Sequence, residues 1–320
     1  MSGTPLVSFV MSVRDGERYL AAAIDSVLEQ TLTDFELVVI DDGSTDSSPQ
    51  ILDEYASSDE RVLVHRQENS GLTRSLNRGF AHARAALIAR LDADDVARPD
   101  RLERQVGYLA RNPEVGLVGG AVVFIDGDGR PFAEAQYPTS DAEIRAAFSF
   151  TTPFVHSAAT MRREVWDAAG GYRTAFPYAE DLDLWVRIGA VSQLANLGET
   201  VVSYRIHPQQ ITLAQLERQS LSVLGARIVS RALAQGRPDP FAETALVDGQ
   251  ELLRAGASVE DMTTEFVQLA VWLAKTLSRA GQTEAAARLF GEAEARARSD
   301  SGSRALVSSV EVARERVRSR

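Results

Sequence analysis

The stretch Ala89-Arg90-Leu91-Asp92-Ala93-Asp94-Asp95 decides how this chain is read. Three carboxylates crowd into four positions directly after the apolar run Ala85 to Ala89. Like charges this close repel, and they are tolerated together at a solvated strand end or around a cation. An oxygen-only ligand set suits a hard divalent ion such as Mg²⁺ or Mn²⁺, and Mg²⁺ commonly shares its shell with substrate phosphates. Two readings stand at this point: a metal–diphosphate site, and a solvated acidic turn.

Working outward, short apolar runs alternate with helical patterns. Leu6–Val13 reads as a strand, and Arg18–Gln30 as a helix with Leu20, Ile24, Val27 and Leu28 on one face. Phe35–Ile40 is apolar apart from Glu36 and ends in Asp41-Asp42-Gly43-Ser44. Ser44 to Ser48 offer N-caps for a helix through Ile51, Leu52 and Tyr55. Val62–Val64 reads as a third strand, Gly71–Ala83 as a third helix, and Leu87–Leu91 as a fourth strand that runs into the acidic cluster. This βαβα order implies a parallel sheet with helices on both faces, where ligands sit at the carboxyl ends of the strands. Both acidic turns, Asp41-Asp42 and Asp92 to Asp95, fall at such ends.

Pro99–Ala110 then reads as a helix, Val115–Ile125 as a buried strand, Ala158–Met161 as a strand, Arg163–Ala169 as a short helix, Asp181–Gly189 as a helix and Val201–Ile206 as a last strand before Pro208. After about Thr212 the composition becomes helix-forming, rich in Ala, Leu, Arg and Glu. From Leu213 onward there are 15 Lys/Arg against 14 Asp/Glu, so the acidity of the chain lies in its first part. Phe266–Ser278 and Thr283–Ala297 form two amphipathic patterns joined by Arg279-Ala280-Gly281-Gln282. Leu269, Leu273, Gly281, Ala286, Leu289 and Phe290 look like a single helical hairpin of tetratricopeptide type, around 265–297, and one hairpin is not a repeat array. The expected organisation is a catalytic domain over 1–212 and a helical extension over 213–320.

The 320 residues, 44% hydrophobic, can bury a large core. A formal charge of −11 argues against nucleic acid as a partner. With no cysteine there is no disulfide, no thiolate nucleophile and no zinc–sulfur site. Met1 to Pro5 carry no positive region, and no apolar run is long enough to span a bilayer. The expectation is a soluble cytoplasmic protein.

Four further constellations stand beside the acidic cluster. In Asp41-Asp42-Gly43-Ser44-Thr45-Asp46 a strand-end carboxylate can accept from a base N–H or a ribose hydroxyl, or else cap the next helix. In Asn69-Ser70-Gly71 through Arg74 and Asn77, Arg74 is placed to reach a base or phosphate, or to be a surface arginine. In Glu180-Asp181-Leu182-Asp183-Leu184-Trp185, acids open a helix, where the macrodipole favours them, and the functional reading is a general base. In Tyr204-Arg205-Ile206-His207, a histidine after a strand is a metal or phosphate ligand, or simply structural.

Taken in order, together with Gly170-Gly171-Tyr172, these motifs resemble family 2 glycosyltransferases of the GT-A fold over about Pro5 to Thr212. The resemblance implies an α/β GT-A type fold, with a Rossmann-like, mixed, mainly parallel sheet flanked by helices and followed by a C-terminal all-helical extension. It implies a nucleotide-diphosphate sugar as donor and a saccharide or lipid-linked saccharide as acceptor. Carried over, Asp42 binds the base, read as uracil, with main-chain help near Val13. Asp94 contacts the ribose and, with Asp92 or Asp95, holds Mg²⁺ or Mn²⁺. His207 completes the phosphate or metal shell. Asp181 deprotonates the acceptor hydroxyl, which displaces the diphosphate with inversion. Glu180, His156, Thr152 and Trp185 are assigned to the acceptor side.

The chain departs from the family pattern at the first strand's end. Many members carry Pro, an aromatic residue and Asn there; this chain has Ser12, Arg14 and Asp15, with Asp15 keeping the polar shape of Asn at the nucleotide. The Gln-x-x-Arg-Trp motif of processive members is missing, which points to transfer of a single sugar. One rival is a nucleotidyltransferase, disfavoured because Ser12 to Glu17 is not a Gly-rich basic loop. The other is an inactive transferase-like module. Against it stand the intact carboxylates Asp92, Asp94, Asp95 and Asp181. The helical tail is expected to pack on the catalytic domain, to form a homodimer or to take a partner protein. Attachment at the inner face of a membrane is compatible with this reading.

Overall fold

The computed structural model describes residues 3–207, 215–301 and 304–318. Pro208, Thr212 and the expected 212/213 boundary lie outside the described residues. The described residues form two compact units: 1–124 with 134–173 and 184–205, and 125–133 with 174–183 and 206–320.

The first unit is built on a mixed sheet. Its parallel half is β1 (Val7–Val13), β2 (Phe35–Asp41), β3 (Val62–Arg66) and β4 (Leu87–Arg90), in the order β3-β2-β1-β4. Val10 stands beside both Val38 and Arg90, so β1 is central. Every residue of β1 and β2 is buried, as parallel strands covered on both faces require. Phe9, Met11, Leu37 and Val39 join one core with Leu20, Ala23, Ile24 and Val27 of α1 (Leu20–Leu28). Those helix positions follow i, i+3, i+4, i+7, the spacing of one buried face. The alternate residues Val10 and Ile40 meet Gly79 of α3 (Leu72–His82) on the other face. Between these helices in sequence lies α2 (Ser48–Ser58).

Beyond β4 the sheet turns antiparallel. β8 (Thr160–Arg162) pairs with β4 and with β6 (Val115–Ile125), followed by β9 (Gln193–Arg205) and the two-residue β5 (Val96–Ala97); β7 (Pro131–Ala135) pairs with β6. The α4 helix (Arg101–Arg111) follows β5, α5 covers Asp141–Ala147, and α6 (Arg163–Ala169) ends at Gly170 in the left-handed region. Then comes α7 (Glu180–Val191). β9 begins eight residues before the expected Val201, because Gln193 to Thr200 carry Gly198, Asn196 and Glu199 and mask the strand pattern. The α5 helix was not anticipated, since seven residues are too few to show a period.

The helices of the second unit are α8 (Leu216–Ala234), α9 (Gly249–Arg254), α10 (Val259–Arg279), α11 (Thr283–Arg296) and α12 (Arg304–Arg318). Asp248 caps α9, and Ser258 with Asp261 forms a capping box on α10. Leu273 and Leu277 of α10, and Ala286, Leu289 and Phe290 of α11, are all buried. Gly281, at φ +78°, makes the turn between these two helices. No helix among the described residues is long and apolar enough to cross a membrane.

A methyl added at Gly79 would stand 2.5 Å from Val10 Cγ1 inside the sheet core. Gly79→Ala is therefore expected to destabilise the first unit by about 1–3 kcal/mol, overpacking outweighing the gain in helix propensity. At Gly291, exposed on α11 with open space around it, Ala should stabilise by about 0.5–1 kcal/mol. Calorimetric melts of the two variants should move in opposite directions.

Candidate functional site

The carboxyl ends of β2, β1 and β4 lie side by side, so the loops that follow them share one edge of the sheet. Asp15 and Glu17 follow β1. Asp15, at φ +52°, accepts from Thr45 N (2.7 Å) and Thr45 Oγ1 (3.1 Å), while its own N–H donates to Ser44 Oγ (3.0 Å). Glu17 N donates to Asp46 Oδ2 and Ser47 N to Glu17 Oε2, each at 2.9 Å. Reciprocal bonds thus clasp the β1 and β2 loops together. Val13 is buried, and its carbonyl accepts from Asp42 N at 2.9 Å.

Asp42 is buried and turned inward. Its Oδ1 accepts from Gln67 Nε2 (2.7 Å) and Ser70 N (2.8 Å), its Oδ2 from Gly71 N (2.9 Å). It therefore holds the loop leading into α3 rather than capping α2. Burial opposes its ionisation, but the bonds from Gln67, Ser70 and Gly71 outweigh that and keep its pKa below the usual carboxylate value. Gly43, at φ +75°, permits this approach: a Cβ there would be 2.9 Å from Asn69 N. Arg74 is exposed on α3, with Nη1 3.3 Å from the Ser70 carbonyl. On the same helix Asn77 exchanges two bonds with the backbone of Tyr172, at 2.8 and 3.0 Å, joining two motifs 95 residues apart.

The acidic cluster follows β4. Asp92, Asp94 and Asp95 each present a carboxylate oxygen, all within 4.8 Å of one another. Asp92 Oδ1 accepts from Arg90 Nη2, and Oδ2 from Ser157 Oγ at 2.9 Å. Burial works against its charge, yet Arg90 and His156 beside it hold its pKa below the usual value. Asp95, almost fully buried, accepts from Arg205 N with Oδ1 (2.7 Å), while the buried Oδ2 has no hydrogen-bond partner among the described residues. Burial and the Asp94 and Asp92 carboxylates push Asp95 well above the usual range. Arg205 Nε also donates to the Asp94 carbonyl at 2.8 Å, which pins the turn to the end of β9. An orphaned buried oxygen within a set of hard oxygen donors fits a divalent cation.

His156 Nε2 lies 2.9 Å from Tyr172 Oη, and burial holds its pKa well below 6.5, with Arg90 adding to the fall. Trp185 is fully buried, 5.9 Å edge-on from His156, so it packs the core and offers no face to an acceptor. Glu180, Asp181 and His207 belong to the second unit. Glu180 and His207 are buried, and Asp181, partly buried, opens α7 with its Oδ1 accepting from Leu182 N at 2.7 Å. Sequence reading missed Arg90, Ser157 and Arg205 as supports of the cluster. Arg90 was detectable as a charge inside an otherwise apolar strand.

The sequence pattern described as "Glycosyl transferase family 2" matches residues 8–169, half of the chain. The chain belongs to glycosyltransferase family 2. It is 33% identical over 225 residues to the O-antigen biosynthesis glycosyltransferase WbnJ of Escherichia coli, spanning 68% of this chain and 87% of WbnJ. Among solved structures, it is similar to S. aureus TarS 1–349 in complex with UDP-GlcNAc, with a TM-score of 0.56 and 15% identity over 97% of this chain and 91% of that one. It is also similar to the mannosyltransferase PcManGT of Pyrobaculum calidifontis in complex with GDP-Man and Mn2+, with a TM-score of 0.55 and 20% identity over 98% and 86%. The glycosyltransferase therefore has the GT-A fold, a mixed sheet flanked by helices with further helices at its C-terminal end.

The depressed pKa of Asp42 makes its contribution to stability depend on pH. A carboxylate whose folded pKa lies below its unfolded value stabilises above the unfolded pKa, about 3.9 for Asp. That contribution is lost as pH falls through the folded pKa. Asp42→Asn, which turns an amide toward three N–H donors, should cost about 1–3 kcal/mol at pH 7. The gap to wild type should close as melts are repeated below about pH 4.

Proposed function

We propose that this glycosyltransferase moves one sugar from a nucleotide-diphosphate donor, UDP-linked, to a hydroxyl of a saccharide or lipid-linked saccharide, with inversion. The work belongs to polysaccharide or glycoconjugate synthesis, in the cytoplasm or at the inner face of a membrane. The observation that carries the reading is the buried Oδ2 of Asp95, without a hydrogen-bond partner among the described residues, within three strand-end carboxylates. The O-antigen role in the name of WbnJ and the nucleotide sugars held by TarS and PcManGT support it as analogies.

In this reading Asp94 and Asp95, with Asp92 and His207, would hold Mg²⁺ or Mn²⁺. A divalent ion at those carboxylates supplies Lewis acidity to a diphosphate leaving group. Asp94 also meets the ribose, and the backbone at Val13, with Asp15, Asp42 and Arg74, shapes the nucleotide side. Asp181 accepts the proton of the acceptor hydroxyl as its oxygen attacks the anomeric carbon. The carbon–phosphate-oxygen bond breaks on the opposite face, and the nucleoside diphosphate leaves with the bonding pair. Each step needs one base and one stabilised leaving group, and the chain offers a candidate for each. Glu180 and His156 line the acceptor side.

Calorimetric titration of UDP, GDP and dTDP, with and without Mn²⁺, tests the donor half. One diphosphate, UDP, should bind in a metal-dependent way, and Asp94→Ala should abolish that dependence. Absence of binding by every diphosphate in the presence of metal would overturn the reading. For the base, Asp181→Asn should bind UDP as wild type does and lose about 10²–10⁴-fold in transfer rate. An unchanged rate would remove Asp181 from the mechanism.

A further inference from the structure

Behind the acidic cluster stands a group that the mechanism does not use. Arg90 is fully buried on β4, two residues before Asp92. Burying a guanidinium is expensive unless it is paired and hydrogen-bonded. Its Nη2 donates to Asp92 Oδ1, and its Nη1 lies 3.4 Å from Ser157 Oγ. Ser157, also fully buried, stands on a short 3₁₀ turn over His156–Ala158. Its hydroxyl donates to Asp92 Oδ2 (2.9 Å) and accepts the Asp92 N–H (3.0 Å). Both oxygens and the amide of Asp92 are thus held from inside the first unit. Asp95, three positions on, keeps one buried oxygen, Oδ2, with no hydrogen-bond partner among the described residues.

We propose that Arg90 and Ser157 are positioning residues that act through Asp92, fixing its carboxylate and charge so that the cluster meets a divalent cation as a preformed array. This rests on the reading of the cluster as a cation site. Both side chains are fully buried, so they act on the cluster through Asp92 and not by presenting a surface of their own. Arg90 offsets one of the three negative charges, and Ser157 locks the rotamer of the carboxylate that carries it. A carboxylate freed from both supports has to be ordered when the cation arrives, and loss of such outer partners costs about 10–100-fold in metal affinity.

The test measures Mn²⁺ affinity in the presence of saturating UDP by calorimetry on the full chain, alongside melting temperature and metal-free UDP affinity. Ser157→Ala deletes one hydroxyl with little change of volume. It should fold, bind UDP without metal as wild type does, and bind Mn²⁺ about tenfold more weakly. Arg90→Lys keeps the charge but loses the forked contact and should weaken Mn²⁺ binding similarly; it decides the matter if Ser157→Ala does not fold. Wild-type Mn²⁺ affinity in a folded variant overturns the inference and leaves the proposed function standing. Absence of Mn²⁺ binding by wild type overturns the cation reading and this inference with it.

Discussion

Two buried guanidinium groups, Arg90 and Arg101, constrain the first unit more than any other feature. Both are fully buried, and burial together with Arg90 draws the pKa of Arg101 down to about 9. A guanidinium keeps its proton in proteins, so that shift marks an electrostatic strain rather than a neutral side chain. Three acceptors meet the Arg101 guanidinium, while its Nη1 has no hydrogen-bond partner among the described residues. Arg101 Nη2 donates to the carbonyls of Arg90 (2.8 Å) and Ala159 (3.1 Å), and its Nε to Gln105 Oε1 (3.0 Å). Gln105 in turn accepts from Thr160 Oγ1 (2.6 Å) and donates to the Ala158 carbonyl (2.7 Å). The polar network joins α4 to β4, β8 and the 3₁₀ turn at the place where the sheet changes from parallel to antiparallel pairing. Asp92 and Asp95, at the end of β4, are the counter-charge, so the acidic turn and the arginines beneath it are parts of one structure.

The loops after β1 and β2 are governed by a different constraint, the satisfaction of loop backbone groups. The carboxylates of Asp15, Asp42 and Asp46 could have faced a ligand; instead they accept backbone N–H groups of neighbouring loops. Side chains here set the shape of the backbone. This favours recognition by main-chain edges and by loop position, and it makes the positive φ of Asp15 and Gly43 part of the site's form. Asn in place of Asp15 would offer the same carbonyl acceptor to Thr45, so the clasp does not depend on the carboxylate's charge.

The parallel half of the fold was legible because its strands are buried on both faces and announce themselves as continuous apolar runs, Val7–Val13 and Phe35–Asp41 above all. The antiparallel half was harder. β9 is broken by a half-buried to exposed stretch from Leu197 to Thr200 around Gly198, and β5 with two residues and α5 with seven are below the length at which periodicity speaks. The acidic cluster was legible from charge crowding alone. Its supports were not, since Ser157 lies 65 residues from Asp92 and a serine carries no signal in isolation. Asp42 shows the converse: the sequence identifies a strand-end carboxylate correctly, yet cannot tell that Ser70 and Gly71 come to meet it.

Asp92 and Asp95 begin as the same carboxyl chemistry, three positions apart, and the fold drives them in opposite directions. Arg90 and Ser157 make the anion of Asp92 comfortable, whereas Asp95 sits beside two other carboxylates with one oxygen unpartnered. Pairs of titratable groups pushed apart in this way mark a division of labour. The stabilised member is held in place by the protein, with both oxygens and its amide engaged before any ligand arrives. The destabilised member, raised by burial and by the Asp94 and Asp92 carboxylates, is the one whose charge a positive partner would favour most. One buried arginine and one buried serine therefore give neighbouring carboxylates of the same chemistry two different environments within a single turn.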